Sequence, residues 1–226
     1  MVGGPHQGQP VLAAGTQLEE ASAAMILVHG RGASARDILT IAAAADVPGF
    51  AYLAPEAAGG AWYPNRFMEP IESNQPWLSS ALETVGRALG RLEAAGIPLE
   101  RSVLLGFSQG GCLTLEFAAR NARRYGALIG LSGGLIGPDD TPRDYPGSLA
   151  GTPVFLGCSD VDPHIPAGRV RESARVLEKL GGGVRVELYR GLDHEVNQDE
   201  IEIVRTLMAA VLRREEVGEP GSRAPR

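Results

Sequence analysis

The sequence has few of the features that mark secreted, metal-binding, membrane or nucleic-acid-binding proteins. Its two cysteines, Cys112 and Cys158, form no C-x-x-C pair and join no cluster of histidines, so we expect two reduced, buried thiols rather than disulfides or a zinc site. The longest strongly apolar run, residues 21–28, is far shorter than the ~20 residues that a membrane-spanning helix needs. With 21 basic and 27 acidic residues the formal charge is −6, which argues against a nucleic-acid partner.

The remaining composition is that of a folded globular chain. Residues 1–10 contain neither the basic nor the apolar region of a signal peptide, so we expect a cytoplasmic protein without membrane insertion. Hydrophobic residues make up 44% and charged residues 21%, close to the averages of globular proteins. Thirty of the 226 residues are glycine, well above the usual share of ~7%, which predicts many tight turns.

Short apolar runs alternate with stretches of helical period, which predicts an α/β fold with a mostly parallel central sheet and helices on both faces. The predicted strands are 25–29, 50–54, 102–107, 127–132, 154–158 and 184–189, and 9–13 could add an edge strand. The predicted helices are 38–45, 76–95, 112–120, 170–180 and a last one over 201–212.

These elements divide the chain into three parts. An N-terminal segment, residues 1–16, precedes a domain over 17–214, and residues 215–226 hold so little to bury that we expect a disordered tail. Only about twenty residues separate the fourth and fifth main strands, too few for a separate cap domain of at least ~50 residues.

Residues 106–110 read G-F-S-Q-G and match G-x-S-x-G, a pattern that places a serine on a strained turn between a strand and a helix. The pattern alone is weak evidence in a glycine-rich chain, and it recurs at 130–134. Ser108 follows a clear strand and precedes a helical stretch, whereas glycines and a proline after Ser132 disfavour a helix there. We therefore predict Ser108 as a nucleophile and Ser132 as part of a strand-end turn.

A serine hydroxyl needs a general base, and four histidines are available. We expect His6 in a mobile terminal segment, and His29 to have a packing role at the end of the first main strand. Enzymes with this serine turn carry their triad in the chain order serine, acid, histidine, which leaves His164 and His194. His194 is the predicted base because it lies in the loop between the last strand and the last helix.

The acid is expected just after strand 154–158, where Asp160 and Asp162 both occur. Sequence spacing does not separate them, and we expect the unused carboxylate to hold the loop. The alternation of these aspartates with His164 also permits a metal site. Two prolines interrupt the segment and no further ligand cluster is adjacent, so no metal is predicted.

Residues 29–32, H-G-R-G, close the first main strand in a glycine-flanked turn. Such a turn can direct the backbone amide of Arg31 toward the serine, where it and the amide of Gln109 would bind the oxyanion of a tetrahedral intermediate. A phosphate-cradling loop is the alternative, but neither G-x-G-x-x-G nor a P-loop lysine follows.

The long segment 55–75 is rich in glycine and proline and carries Trp62, Tyr63 and Phe67. These aromatic side chains could form the wall of a substrate pocket, with Arg66 available for an anionic group. A loop folded down on its own aromatic side chains is the alternative.

Together these segments resemble the phospholipase/carboxylesterase family of the α/β-hydrolase superfamily, which includes the acyl-protein thioesterases. Over residues 25–212 the shared motifs are H-G-R-G at 29–32, G-F-S-Q-G-G at 106–111, D-V-D-P-H-I-P at 160–166 and G-L-D-H-E at 191–195. The resemblance implies that the acid is the aspartate before proline, Asp162, and that Asp160 supports it. It also implies no cofactor and, in many members, a homodimer.

The predicted function is therefore that of a serine carboxylesterase that cleaves small or medium acyl esters through an acyl-enzyme. Arg31 stands where thioesterases of the family commonly have leucine. His164, a further candidate for substrate contact, stands where an aliphatic residue is more usual. Both departures argue against a preference for long acyl thioesters. Acyl-thioesterase or lysophospholipase activity is the first alternative, and a non-catalytic ligand-binding module with the same fold is the second.

Overall fold

Seven strands form one sheet in the order β1-β3-β2-β4-β5-β6-β7 in the computed structural model, which describes residues 4–213. The strands are β1 (Val11–Gly15), β2 (Ala23–Val28), β3 (Phe50–Pro55), β4 (Ser102–Phe107), β5 (Ala127–Leu131), β6 (Pro153–Ser159) and β7 (Gly183–Tyr189). β1 pairs antiparallel with β3, and every other neighbouring pair is parallel. The N-terminal edge strand thus forms, two residues later than predicted.

Within residues 4–213, five α-helices cover both faces of the sheet, so its inner strands are almost entirely apolar. The helices are α1 (Ala35–Ala45), α2 (Trp77–Ala94), α3 (Gln109–Arg120), α4 (Ala167–Lys179) and α5 (Gln198–Arg213). The apolar residues of α2, α3 and α4 form a core on one face, and those of α1 and α5 form a core on the other. The predicted fold class is confirmed.

Four helices, α1, α3, α4 and α5, begin three residues earlier than their apolar period indicates. α3 begins at Gln109. Its first turn was not predicted because Gly110 and Gly111 have a low helix propensity. α5 begins at Gln198, where Asn197 and Glu200 form a reciprocal cap: the Asn197 amide donates to Glu200 Oε2 (2.9 Å) and the Glu200 amide donates to Asn197 Oδ1 (3.0 Å).

The expectation of a mobile segment around His6 is wrong. The His6 side chain is 1% exposed, and its backbone amide donates to Ser80 Oγ on α2 at 2.9 Å. The segment is held by tertiary contacts with residues more than fifty positions away, which no local pattern could reveal. The predicted disordered tail, 215–226, lies outside the described residues.

Buried charges fix the connection between β5 and β6, in which residues 132–152 form neither a helix nor a strand. Glu116 of α3 accepts hydrogen bonds from the Ile136 amide (3.0 Å) and the Tyr145 hydroxyl (3.0 Å). Arg169 of α4 donates to the carbonyls of Leu135 (2.8 Å) and Gly137 (2.7 Å). Irregular backbone can be buried only when its polar groups are paired in this way.

The carboxyl ends of β2, β4, β6 and β7 lie at the same edge of the parallel sheet, where open α/β sheets bind their ligands. The loops that follow these strands carry Arg31, Ser108, Asp162 and His194. No helix within residues 4–213 has the length and apolar content needed to cross a bilayer.

Candidate active site

Ser108 occupies a strained turn between β4 and α3. Its φ of 56° and ψ of −121° are unusual for a residue with a side chain, and such strain costs on the order of 1–3 kcal/mol. A Cβ on Gly106 would collide with the Gly110 carbonyl, and a Cβ on Gly110 would collide with the Val28 carbonyl of β2. The two glycines of G-x-S-x-G are thus required by close backbone packing, and they let the turn present the serine hydroxyl.

The side chains of Ser108, His194 and Asp162 form a continuous hydrogen-bonded relay. Ser108 Oγ lies 2.8 Å from His194 Nε2, and His194 Nδ1 lies 2.7 Å from Asp162 Oδ2. A carboxylate only accepts hydrogen bonds, so Nδ1 carries the proton and the lone pair of Nε2 faces the serine hydroxyl. This arrangement can remove a proton from Ser108.

Asp162 is held as a carboxylate by its surroundings. Its side chain is fully buried; Oδ1 accepts from the amides of His164 (2.8 Å) and Ile165 (2.9 Å). Burial alone would raise the pKa of Asp162, but the hydrogen bonds from His194 and from these two amides outweigh it and leave the pKa below its ordinary value. The carboxylate therefore stays charged and fixed beside the imidazole.

Asp160 has a different place in the structure. Its Oδ1 accepts from the Gly191 amide at 2.9 Å and its own amide donates to the Tyr189 carbonyl, so it fastens the start of the loop that carries His194. Asp160, Asp162 and His164 do not converge on one point. Among residues 4–213, no three histidine, cysteine or acidic side chains are grouped closely enough to hold a metal ion.

The imidazole of His194 contacts two rings. The Phe107 ring lies 5.0 Å from it and the His164 ring 4.8 Å from it, centroid to centroid, the latter nearly perpendicular to the imidazole. These contacts restrict the rotation of His194, so its Nε2 remains directed at Ser108.

A cleft of about 530 Å³ opens beside Ser108 and His194. Arg31 and Gln109 both line it, and neither backbone amide donates a hydrogen bond to any residue of the described part of the chain. Both amides are therefore free to bind an oxyanion that forms on a substrate in the cleft.

Four of the five predicted wall residues line this cleft: Tyr63, Arg66, Phe67 and His164. Trp62 does not, and its expected place in the wall is corrected. Its side chain is fully buried, and its Nε1 donates to the His29 carbonyl at 2.9 Å, because a buried indole N–H needs an acceptor. Residues that the sequence did not single out also line the cleft: Pro64, Asn65, Glu69, Cys112 and Ile165.

The side chains of Gln109 and Arg31 have structural roles that sequence reasoning missed. Gln109 Oε1 accepts from the Trp62 amide (2.8 Å), and Gln109 Nε2 donates to the Tyr63 carbonyl (2.8 Å). The Arg31 guanidinium donates to the carbonyls of Tyr63 (2.8 Å), Pro64 (3.0 Å) and Asn65 (2.7 Å). The available signal was the irregular segment itself, whose backbone groups require side-chain partners.

Both cysteines are free and buried, as predicted. Burial raises the pKa of the Cys112 thiol and of the Cys158 thiol to about 12. Neither thiol is therefore a nucleophile at neutral pH, although Cys112 lines the cleft.

Known proteins share this fold and this sequence pattern. The profile of the Phospholipase/Carboxylesterase family matches residues 12–212. A phospholipase/carboxylesterase from Dyadobacter fermentans superimposes with a TM-score of 0.87 at 39% identity, over 92% of this chain and 99% of that one. Acyl-protein thioesterase 2 from Zea mays shares the fold, with a TM-score of 0.71 at 17% identity, over 90% of this chain and 99% of that one.

Similarity to curated proteins is more limited in extent. Acyl-protein thioesterase 1 of Gibberella zeae is 32% identical over 123 residues, which are 50% of this chain and 49% of that protein. This chain thus spans about half the length of the curated relatives that it matches. The family profile and the Dyadobacter structure extend over nearly the whole chain, and this protein therefore belongs to the phospholipase/carboxylesterase family.

Proposed function

We propose that this protein is a serine carboxylesterase that cleaves small or medium acyl esters through an acyl-enzyme. The observation that supports it most is the relay from Ser108 through His194 to Asp162, with distances of 2.8 Å and 2.7 Å. The relay lies beside a cleft with two free backbone amides, and acyl transfer also needs such amides to bind the oxyanion.

In this mechanism His194 Nε2 takes the Ser108 proton while Oγ attacks the acyl carbon. The amides of Arg31 and Gln109 bind the oxyanion, and Asp162 stabilises the imidazolium without being protonated itself. The tetrahedral intermediate then collapses, and the imidazolium gives its proton to the departing alcohol. Water, deprotonated by the same histidine, cleaves the acyl-enzyme and restores the serine.

The cleft lining supports small or medium esters over long acyl chains. Beside the apolar Pro64, Phe67 and Ile165, the lining contains polar or charged residues that include Arg31, Asn65, Arg66, Glu69 and His164. A long alkyl chain would desolvate these groups without offering them hydrogen bonds. Thioesters and lysophospholipids are the alternative substrates for the same site, and the thioesterases among the relatives support the former.

We also propose that the protein is cytoplasmic, which the sequence supports, and that it forms a homodimer, which the family resemblance supports. Size-exclusion chromatography with light scattering measures the second directly.

The function is tested with p-nitrophenyl acetate, butyrate and octanoate and with the matching thioesters. We expect Ser108→Ala to lower kcat by ~10⁴-fold or more. Ser132→Ala, in the second G-x-S-x-G match, should retain turnover and is the matched control. Wild-type turnover by Ser108→Ala would exclude the mechanism. Absence of labelling of the folded wild type by a fluorophosphonate probe would instead favour a non-catalytic binding module.

A further inference from the structure

The His6 imidazole lies behind the cleft wall, and its two hydrogen bonds fix its protonation state. The Ala58 amide donates to His6 Nδ1 at 3.0 Å, and His6 Nε2 lies 2.9 Å from the Trp62 carbonyl. A backbone amide can only donate and a carbonyl can only accept. The ring is therefore neutral, with its proton on Nε2, and it joins two points of the same irregular segment.

This segment leads directly to the residue after the serine. The Trp62 amide donates to Gln109 Oε1, and Gln109 Nε2 donates to the next carbonyl, that of Tyr63, both at 2.8 Å. Gln109 is 6% exposed, and its backbone amide is one of the two free amides at the cleft. A chain of hydrogen bonds thus runs from His6 through Trp62 to the Gln109 side chain.

We propose that His6 is a positioning residue for the oxyanion hole, which holds Gln109 through Trp62 only while its imidazole is neutral. The proposal rests on the proposed esterase function. His6 touches neither Ser108 nor the cleft, so its effect on the reaction is indirect. Its loss would free the backbone of residues 58–62 and, with it, the two hydrogen bonds that orient the Gln109 side chain.

The surroundings of His6 oppose its protonation on balance. Burial is the main cause of a pKa below the ordinary value; the hydrogen bond with the Trp62 carbonyl acts in the opposite direction, and the positive charge of Arg87, from α2, adds to the lowering. His29, at the end of β2, also faces the ring. Within residues 4–213 no carboxylate forms an ion pair with His6. A proton on Nδ1 would face the Ala58 N–H, so that hydrogen bond would be replaced by repulsion.

His29 differs from His6 in this respect. Its Nε2 accepts from the Ala57 amide at 3.1 Å, and the Glu56 carboxylate lies 3.6 Å from the same nitrogen. The segment is thus held by two neighbouring histidine contacts, and of the two only the His29 contact has a carboxylate beside it.

The chain reports the state of His6 through its own fluorescence. It has two tryptophans, Trp62 and Trp77, and the His6 ring lies 5.3 Å and 5.4 Å from them, centroid to centroid. The His29 ring also lies 5.0 Å from Trp62, so Trp77 is the tryptophan that reports on His6 specifically. A protonated imidazole quenches a neighbouring indole far more than a neutral one does. We expect tryptophan emission to fall on acidification, with a midpoint below pH 6.5, the ordinary pKa of histidine.

Two variants test the proposal with p-nitrophenyl acetate as substrate. His6→Phe keeps an aromatic ring and removes both hydrogen bonds, so kcat at pH 8 should fall ~10-fold or more with KM changed by less than ~3-fold. His6→Gln has an amide that can donate and accept without titrating. It should retain kcat within ~3-fold and weaken the acid transition in fluorescence, because no titrating ring then lies beside Trp77. At acid pH, log kcat/KM of the wild type should fall by two for each pH unit, because two protons are taken up. That of His6→Gln should fall by one for each pH unit.

The outcomes separate this proposal from the proposed function. An active wild type whose kcat survives His6→Phe, or whose acid fluorescence transition keeps its full amplitude in His6→Gln, would overturn the role of His6 and leave the esterase assignment intact. If His6→Phe does not fold, the two pH profiles of the wild type and His6→Gln decide, and superimposable profiles contradict the proposal. A wild type without turnover or fluorophosphonate labelling would instead refute the esterase function.

Discussion

At the scale of single residues, Asp160 and Asp162 lie two positions apart and have different partners. Asp162 accepts from His194, and Asp160 accepts from the Gly191 amide. We expect Asp162→Asn to lower kcat by ~10³–10⁴-fold, because an asparagine amide can turn its donor toward His194 and favour the wrong imidazole tautomer. Steady-state kinetics with p-nitrophenyl butyrate measures the loss.

Asp160→Asn is the matched control, because it makes the same chemical change at the neighbouring carboxylate. Asparagine Oδ1 can still accept from the Gly191 amide, so kcat should stay within ~10-fold of the wild type. If both variants lost activity equally, the relay through Asp162 would not carry the reaction.

Arg31 fastens the cleft wall through its side chain, and we expect this contact to affect selectivity. Arg31→Leu keeps the backbone amide but removes three hydrogen bonds to residues 63–65 and leaves an apolar side chain in the cleft. We expect kcat/KM for the acetate ester to fall ~10-fold and the ratio of octanoate to acetate turnover to rise. Arg36→Leu, at an exposed position of α1, is the control for loss of charge. An unchanged chain-length profile in Arg31→Leu would contradict a role in selectivity.

Residue types and motifs predicted the three side chains that the structure joins by hydrogen bonds, because the pattern around each is local. Ser108 lies in a turn that requires glycine two positions before it and two positions after it. His194 lies in the loop that directly follows β7. The second roles of Gln109 and Arg31 could not be predicted, since their partners lie more than thirty positions away in a segment with no periodic pattern.

At the scale of elements, the start of α5 depends on a buried acid. Glu200 is 1% exposed and forms the reciprocal cap with Asn197, while its Oε1 lies against Gly157 of β6. Burial, with the charge of Asp199 added, raises the pKa of Glu200 from 4.5 to about 7. The sequence pattern Asn-x-x-Glu predicts such a cap, and only the packing of α5 on β6 reveals that the acid is buried.

The sign of the effect on stability follows from this raised pKa. Between pH 4.5 and about 7, Glu200 ionises more readily in the unfolded chain than in the folded one. The stability that the neutral Glu200 side chain contributes is therefore fully present below pH 4.5 and is lost as the pH rises to about 7. Glu200→Gln removes this loss and keeps an oxygen that can accept from the Asn197 amide. From pH 5 to pH 8, its free energy of unfolding should gain ~2–3 kcal/mol relative to the wild type. Urea denaturation at both pH values measures it.

Glu202→Gln is the matched control, two positions further along the same helix and on its exposed side. A hydrogen bond from Arg205 lowers the pKa of Glu202, so its charged form favours the folded state and its neutralisation should weaken the protein slightly at high pH. A parallel pH dependence of the wild type and Glu200→Gln would contradict the burial of a neutral acid at this position.

At the scale of the whole molecule, the site combines segments far apart in the chain. The sheet order β2-β4-β5-β6-β7 brings the loops after β4, β6 and β7 to one edge, a geometry that parallel pairing predicts from the sequence alone. The N-terminal contact of His6 and the inward turn of Trp62 depend instead on how the irregular segment packs across α2 and β2. Such packing has no periodic signature, which is why both were mispredicted.

This mode of assembly predicts how the protein unfolds. The segment over residues 57–65 is tied by side chains to the N-terminal segment, to the end of β2 and to α3, through His6, His29, Arg31 and Gln109. It should therefore not detach before the sheet does. We expect esterase activity, tryptophan emission and far-ultraviolet circular dichroism to be lost in urea with the same midpoint at pH 8, because both tryptophans report on this region while circular dichroism reports on the whole fold. In His6→Phe, the midpoints of activity and emission should move to lower urea than that of circular dichroism. Separate midpoints already in the wild type would show that the cleft wall is an independent unit.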